Sequence, residues 1–403
     1  MRTKQDAFGY VENVIDAIIE KMNGVISLSG KKFFKHILPL YMSMRGRYNF
    51  SNMSRYDFYN EKSYRHQFEQ EFDFMKFNTQ TIQLYCNQEL IAAFDPSHIR
   101  KSGKHTPHAG MFWNGCEQQS KYGLEIGCMA IVDVAHQTAF SFEAWQTPTA
   151  KELKSMGKTL VDHYADCIKK AVSGLRELGI QYLAVDGYFA KEKFVNEVEN
   201  NSSLHVISKL RTDANLMYLF KGEQHKGKGR KKKYHSKVNV KNIDKRKIKC
   251  FLKDDQKALY AGRVYSIQLK KEIQLVYIEQ LKNAKPTGIY ALLFTTDLSL
   301  NPEKIHHYYT LRFQIEFLLR DAKQHVGLED CQARSENKLH FHFNASLTTV
   351  SFAKAMFHLP VQKQENTNFS MNDIKAMMFN ELFAKRIFSN LGLELSCEKI
   401  KQV

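Results

Sequence analysis

The chain has no apolar run that approaches the roughly 18 residues a membrane-spanning helix needs. The longest obvious run, Gly288 to Phe294, has only strand length. Its opening residues, MRTKQDAFGY, are polar and hold no secretion-signal core. The expectation is a cytoplasmic protein with no membrane partner. The seven cysteines, at 86, 116, 128, 167, 250, 331 and 397, include no Cys-x-x-Cys pair. That odd, scattered set argues against a zinc knuckle or a disulfide framework and leaves small buried hydrophobes as their default role. Proline is scarce, at seven residues, and no internal repeat or low-complexity linker divides the chain. Acids are short as well: 42 Asp and Glu stand against 59 Lys and Arg, a net charge of +17. Such an excess points to a polyanionic partner, nucleic acid foremost. A basic membrane-surface protein is the competing reading, but no basic amphipathic helix stands out to support it.

Residues from Asp6 to about Asn78 read as helices, with apolar residues at helical spacing in AFGYVENVIDAIIEKM and KKFFKHILPLYMSM. The stretch that follows sets Arg45, Arg47, Arg55, Lys62 and Arg65 among aromatics, with Ser54 or Asn60 as candidate caps. A small helical DNA-binding domain over residues 1–80 fits this pattern, as does a basic solvated helical bundle. The texture changes near residue 88. ELIAAFD, GLEIGCMAIVDVA, TAFSFEAWQTP, QYLAVD and LHVISKL are strand candidates, and Ala150 to Leu178 is a long helical segment. The order of strands and helices predicts a mixed α/β domain with a partly parallel sheet over 81–357. Within it, residues 216–296 read as a mostly β insertion, with KVNVKNI, IKCFL, RVYSIQL, IQLVYIEQL and GIYALLFTT as strands. Its first part is basic: Lys221 to Lys249 holds eleven Lys and two Arg against two acids, a net +11. The core of that run, with Arg230, Lys231, Lys232 and Lys233, is expected in a hairpin tip or loop that meets phosphates. After Pro302 the chain reads as helical to about 357, and 358–403 as a helical tail.

Two apolar runs end on acids, Asp95 and Asp186. An Asp at the carboxyl end of a strand points into the crevice where open α/β sheets bind ligands. A third acid comes from the segment after Pro302. At about 100° per residue, Tyr309, Arg312, Glu316 and Lys323 share one narrow helical stripe. An acid flanked by cations on one face suits phosphate chemistry, although Arg312 and Glu316 also have the spacing of an ordinary surface ion pair. Three carboxylates from three segments would suit Mg²⁺ or Mn²⁺, hard ions that prefer oxygen ligands. A pair of such ions can activate a nucleophile and stabilise a leaving oxygen. Lys101, Lys104, His105 and His108 follow Asp95 in a polar stretch, and Arg211 follows LHVISKL; these are further candidates for backbone phosphates. His340 and His342 are a weak candidate pair, because i, i+2 residues of a helix face apart. Asp133 is a rival carboxylate.

The spacing Y-x2-R-x3-E-x6-K, carried by Tyr309, Arg312, Glu316 and Lys323, resembles the signature of bacterial insertion-sequence transposases of the DDE superfamily, insertion-sequence-four group. AAFDPSHIRKSGKHTP resembles the first-Asp block of that family, VDGYFAKEKF the second, and RTDANLMYLF the stretch after the fifth strand. The resemblance spans about residues 45–350. It implies an RNase H-like catalytic core interrupted by the β insertion. It implies that Asp95, Asp186 and Glu316 hold the metal, that Tyr309, Arg312 and Lys323 contact element-end DNA, and that the protein acts as a homodimer on DNA. Some relatives stack a flipped base on a Trp of the insertion. Here both tryptophans, Trp113 and Trp145, precede it, which leaves a hairpin step open. The expected activity is two-metal cleavage of double-stranded DNA at element ends and joining of the 3′-hydroxyls to target DNA. A catalytically silent DNA-binding derivative and an RNase H-like nuclease without strand transfer are the alternatives.

Overall fold

A computed structural model describes residues 7–22, 27–115, 117–224, 227, 229–358 and 368–392. Five helices come first: α1 (Ala7–Lys21), α2 (Leu28–Ser43), α3 (Phe50–Tyr56), α4 (Glu61–Gln67) and α5 (Phe74–Tyr85). Asn49 and Asn60 cap α3 and α4 by accepting hydrogen bonds from the backbone of Asn52 and Ser63, the role expected of short polar side chains at that position. Ser54, the other candidate cap, lies inside α3.

Twelve strands form one mixed sheet. β1 (Leu90–Arg100), β2 (Gly110–Asn114), β3 (Gln119–Asp133) and β4 (Thr138–Gln146) are antiparallel neighbours. β5 (Tyr182–Ala184) and β6 (His205–Leu210) then extend β1 in parallel. The sheet order is β2-β3-β1-β5-β6, followed by β12 (Lys285–Thr295), β11 (Lys271–Lys282), β10 (Lys257–Ser266), β7 (Leu216–Leu219) and β8 (Tyr234–Lys237). β9 (Lys249–Lys253) pairs with β10. The basic 216–296 segment therefore continues the same sheet, joined through the β12–β6 ladder.

The helical segment 150–178 is two helices, α6 (Ala150–Ser155) and α7 (Leu160–Glu177). Gly157, at φ +66°, takes the left-handed turn between them. Each begins with a reciprocal capping box, Thr149 with Glu152 and Thr159 with Asp162. α8 (Glu192–Ser202) links β5 to β6. After β12 come α9 (Pro302–Leu311), α10 (Gln314–His325), α11 (Glu336–Ala353) with a π-helical continuation at Lys354–His358, and α12 (Met371–Asn390).

Three expectations need correction. β1 does not end at Asp95 but runs on to Arg100, because β3 pairs with it along the whole length. KVNVKNI is not a strand: β8 stops at Lys237, and Val238 and Ile243 are buried in irregular backbone. The helix after Pro302 is interrupted twice. At Arg312 and Phe313 it tightens to i→i+3 bonds (Phe313 N to Thr310 O, 3.3 Å; Glu316 N to Phe313 O, 3.0 Å). Residues 326–335 form no helix, and Gly327 at φ +64° ends α10.

A single buried apolar cluster joins the N-terminal helices to α10, α11 and one face of β1 and β3. Phe68 meets Phe341 at 4.5 Å between ring centroids, and Phe34 stacks on Phe72 at 3.8 Å. Asn78 of α5 donates to Phe142 O of β4 (3.1 Å) and accepts from Thr348 of α11 (3.1 Å). The boundary expected near residue 80 falls within α5 and separates no two cores. No helix among the described residues is long and apolar enough to cross a membrane.

Candidate active site

β1 and β5 are parallel and pair only at Ala92–Leu183 and Ala93–Ala184. Two residues past that last pair come Asp95 and Asp186, level with each other on adjacent chain segments. Side chains alternate along extended backbone, so both acids follow the face that Ala93, Ala184 and, on β6, Ile207 bury in the shared helical core. Beyond Ala93 the β5 side of β1 has no partner strand, so Pro96, which lacks an N–H, sits where no ladder bond is required of it. Asp186 caps the short 3-10 turn Gly187–Phe189 by accepting from Tyr188 N (2.9 Å), and its own carbonyl accepts from Ser208 (2.7 Å).

α10 lies over that same face, burying Ile315, Leu318, Leu319 and Ala322. This leaves Glu316 half-exposed toward the two aspartates. The stripe read from the sequence is a physical row. The Arg312 guanidinium is 5.9 Å from the Tyr309 ring centroid and donates to Glu316 Oε1 at 3.0 Å. Lys323 is turned to the backbone: it donates to His98 O (2.7 Å) and lies 3.8 Å from Glu329. The row thus clamps α10 onto β1.

Electrostatics register the convergence. Burial pushes the Asp95 carboxyl up to about 7; Arg312 pulls against that rise, and Asp186, Glu316 and Glu125 add to it. Burial also raises the Tyr309 hydroxyl, with Arg312, Asp186 and Glu316 in its surroundings. Glu125 was not singled out in the sequence, since an acid inside an apolar strand carries no spacing signal of its own. It is 6% exposed on β3, accepts from the Tyr164 hydroxyl at 2.5 Å, and is itself held above the usual carboxylate range by burial.

The three expected acids are electrostatic neighbours without forming a closed cage. Among the described residues no three His, Cys, Asp or Glu side chains stand close enough together to hold a metal ion. The donor set itself suits a hard divalent cation, being carboxylate oxygens only. The like-charge crowding at Asp95 is what such a cation relieves. Arg312 supplies part of the counter-charge at Asp95.

The weaker candidates are resolved individually. Asp133 accepts from Asn87 N (2.8 Å) and His136 N (3.0 Å), so it pins the β3–β4 turn away from the site. His340 pairs with Glu143 (2.9 Å), whereas His342 bonds Tyr41 and Gly327 O at 2.8 Å each, so the two rings serve separate contacts. Lys101 donates to the carbonyls of Cys331 and Ala333. His108 contacts Glu152 at 3.1 Å. Arg211 is exposed and bonded to Asp213 (2.9 Å). Arg45, over the Phe379 ring at 3.9 Å, is exposed, as are Arg47, Arg55, Arg65 and Lys104. Arg230, Lys231, Lys232 and Lys233 lead into β8 and are exposed. His225, Lys226 and Lys228 of that run lie outside the described residues, as do Cys116 and Cys397. Cys128, Cys167 and Cys331 are buried as expected of small hydrophobes, and Cys250 is exposed.

Compared with known protein families, the chain matches the one described as Transposase DDE domain over residues 87–351, about two thirds of its length. No curated protein matches it.

Proposed function

The chain belongs to the transposase DDE-domain family, and on that premise we propose that it is an insertion-sequence transposase of the insertion-sequence-four group. It cuts double-stranded DNA at the ends of a mobile element and joins the freed 3′-hydroxyls to target DNA. In this reading β1 and β3–β6 with α7 and α8 are an RNase H-like core, and residues 216–296 are its β insertion. Residues 1–80 and the basic run contribute DNA contacts, and two copies pair the two ends.

The observation that supports it best is the level placement of Asp95 and Asp186 beneath Glu316, on three different elements. These carboxylates would hold Mg²⁺ or Mn²⁺, two ions in all. When bound, the ions supply activation of water and stabilisation of the leaving oxygen. The chain's own side chains position the reactants. Tyr309 and Arg312 border the acids from the α9–α10 junction. Arg312, released from Glu316, suits a phosphate oxygen by its planar fork of donors. Lys323 keeps the helix seated on β1. Phosphoryl transfer asks for positioning and charge and no covalent protein intermediate, so no nucleophilic Ser or Tyr is assigned.

The Arg312–Glu316 pair and the open arrangement of the acids favour a second reading, a transposase-derived DNA binder without catalysis. The two separate on one assay. End-containing duplex and Mg²⁺ are incubated with wild type, Asp95→Asn and Glu316→Gln. The expectation is 3′-hydroxyl ends and joined product from wild type, reduced more than about a hundredfold in either variant. Equal product from all three would sink the active-site assignment. No product from wild type supports the silent binder, and cutting without joining supports a nuclease.

A further inference from the structure

A cleft of about 1010 Å³ opens beyond the far end of β1, lined by Arg47, Arg65, Arg100, Lys101, Arg334 and Lys338, against two acids, Glu329 and Asp330. Its cations come from five places in the sequence: the α2–α3 connection, α4, the end of β1, the segment after α10, and the start of α11. It lies near the candidate active site. Arg100 shares β1 with Asp95, about 17 Å further along at ~3.4 Å per residue. That span is comparable to about five base pairs of duplex rise.

The walls are cross-linked before any ligand arrives. Lys101 donates to Cys331 O and, at 3.2 Å, to Ala333 O. Asp330 accepts from Tyr48 N at 3.1 Å, and the Tyr48 hydroxyl donates to His325 O at 3.0 Å. Gly327 packs so closely that an added Cβ would lie 2.3 Å from the Tyr48 ring. Lys101, expected as a DNA contact, is therefore a strut of the cleft. Arg65 and Lys338 are engaged with Glu61 and Glu69, both at 2.6 Å. Arg334 is exposed and lies near a second cation, Lys101. Arg100 is 79% exposed and only 3.6 Å from Glu329, a pair that contributes little in water. Among the described residues no aromatic side chain lines the cleft. Single-stranded nucleic acid is held by stacking on aromatics, so this surface suits phosphate backbone without bases.

We propose that this cleft tracks the phosphate backbone of duplex DNA flanking the cut site, with Arg100 and Arg334 as its contact cations and Lys101 as its strut. The inference rests on the reading that the protein acts on DNA; it adds Arg334, which no sequence motif marks, assigns a contact to Arg100 at the end of β1, and gives the DNA a path.

The test uses the full chain without Mg²⁺ and a fluorescein-labelled duplex of arbitrary sequence. Binding is followed by anisotropy across a KCl series. Each lost phosphate contact lowers the slope of log K against log salt by about 0.9. The Arg100→Ala/Arg334→Ala variant should therefore bind with a slope shallower by about 1.8, and Arg100→Lys/Arg334→Lys should retain the wild-type slope. An unchanged slope in the alanine variant, with its unfolding temperature intact, overturns the proposal. If that variant fails to fold, Arg334→Gln alone decides: a fall of about 0.9 sustains the proposal, and no fall overturns it. Tighter binding of a single strand than of duplex, lost in the same variants, would overturn the duplex assignment. This assay reads binding alone, so beside the Mg²⁺ cleavage assay above the outcomes separate. A protein that never cuts but loses slope in the variants removes the catalytic reading and keeps the cleft, whereas one that cuts while the variants keep full slope removes the cleft alone.

Discussion

At the scale of single residues, the same side-chain types do opposite work according to what surrounds them. Lys101 and Lys323 both follow motifs that suggest phosphate contact, yet each donates to backbone carbonyls and fastens one segment to another. Nothing in their spacing distinguishes a strut from a contact, because the carbonyls they reach are 230 and 225 residues away in sequence. Glu316 was legible, since helical geometry alone puts it between Tyr309, Arg312 and Lys323. Glu125 was not, and its partner provides a direct check. Tyr164→Phe removes the donor at 2.5 Å from a buried carboxylate. Leaving a buried polar group short of a partner costs about 1–3 kcal/mol, so urea unfolding should show a loss of that size. A loss under about 0.5 kcal/mol, the range of neutral surface changes, would mean that the Tyr164 hydroxyl contributes nothing to holding Glu125.

At the scale of elements, capping boxes divide what reads in the sequence as one helix over 150–178 into two. The Thr159–Asp162 capping box starts α7, and Asp162 also meets Lys193 of α8 at 2.6 Å. The Lys193 contact first, then bonds from Thr159, hold the Asp162 carboxyl down at about 2. A depressed folded-state pKa gives stability that is present above the unfolded value near 3.8 and is lost as pH falls toward 2. Asp162→Ala should therefore cost about 1 kcal/mol at pH 7, discounted for the exposed lysine. The difference from wild type should close below pH 2, as followed by thermal unfolding across pH. A constant difference across that range would show that the charge is not the cause. Gly327 is a second element-scale device. It has φ +64° and no room for a Cβ against Tyr48. Gly327→Ala should lower stability by about 2–4 kcal/mol, from the left-handed backbone and overpacking together, and wild-type denaturant midpoints would contradict this. The end of β1 was misread because an apolar run ending on an acid looks like a strand end. The β3 ladder that carries the strand on to Arg100 is a tertiary fact.

At the scale of the whole molecule, the N-terminal helices, α10 and α11 share one core with one face of the sheet, while α7 and α8 pack into a second. Removing residues 1–85 would expose Phe341, which packs against Phe33, Phe68, Phe72 and Phe74, and the α11 face that α2 and α5 cover. Apolar patches of that kind aggregate. The truncated chain should give no soluble protein with a cooperative unfolding transition, and recovery of one would show that the N-terminal helices are dispensable to the fold. The basic run belongs to this scale as well. Replacing Arg230, Lys231, Lys232 and Lys233 by alanine should flatten the salt dependence of duplex binding by at most about 3.6, at about 0.9 per contact. A wild-type slope would mean that these exposed cations stay solvated.

The sequence alone determined the charge, the Asn60 cap, most of the strand and helix segments and the stripe around Glu316, since each depends on composition or on residues a few positions apart and on the 2.0 and 3.6 periods of extended and helical backbone. The pairing of β1 with β5 was decided only in three dimensions. That pairing sets Asp95 level with Asp186 and lays α10 across both. So was the gathering of Arg100 and Arg334, 234 positions apart in the chain, into one cleft. These outcomes depend on register and on packing between distant segments, which local preferences do not encode.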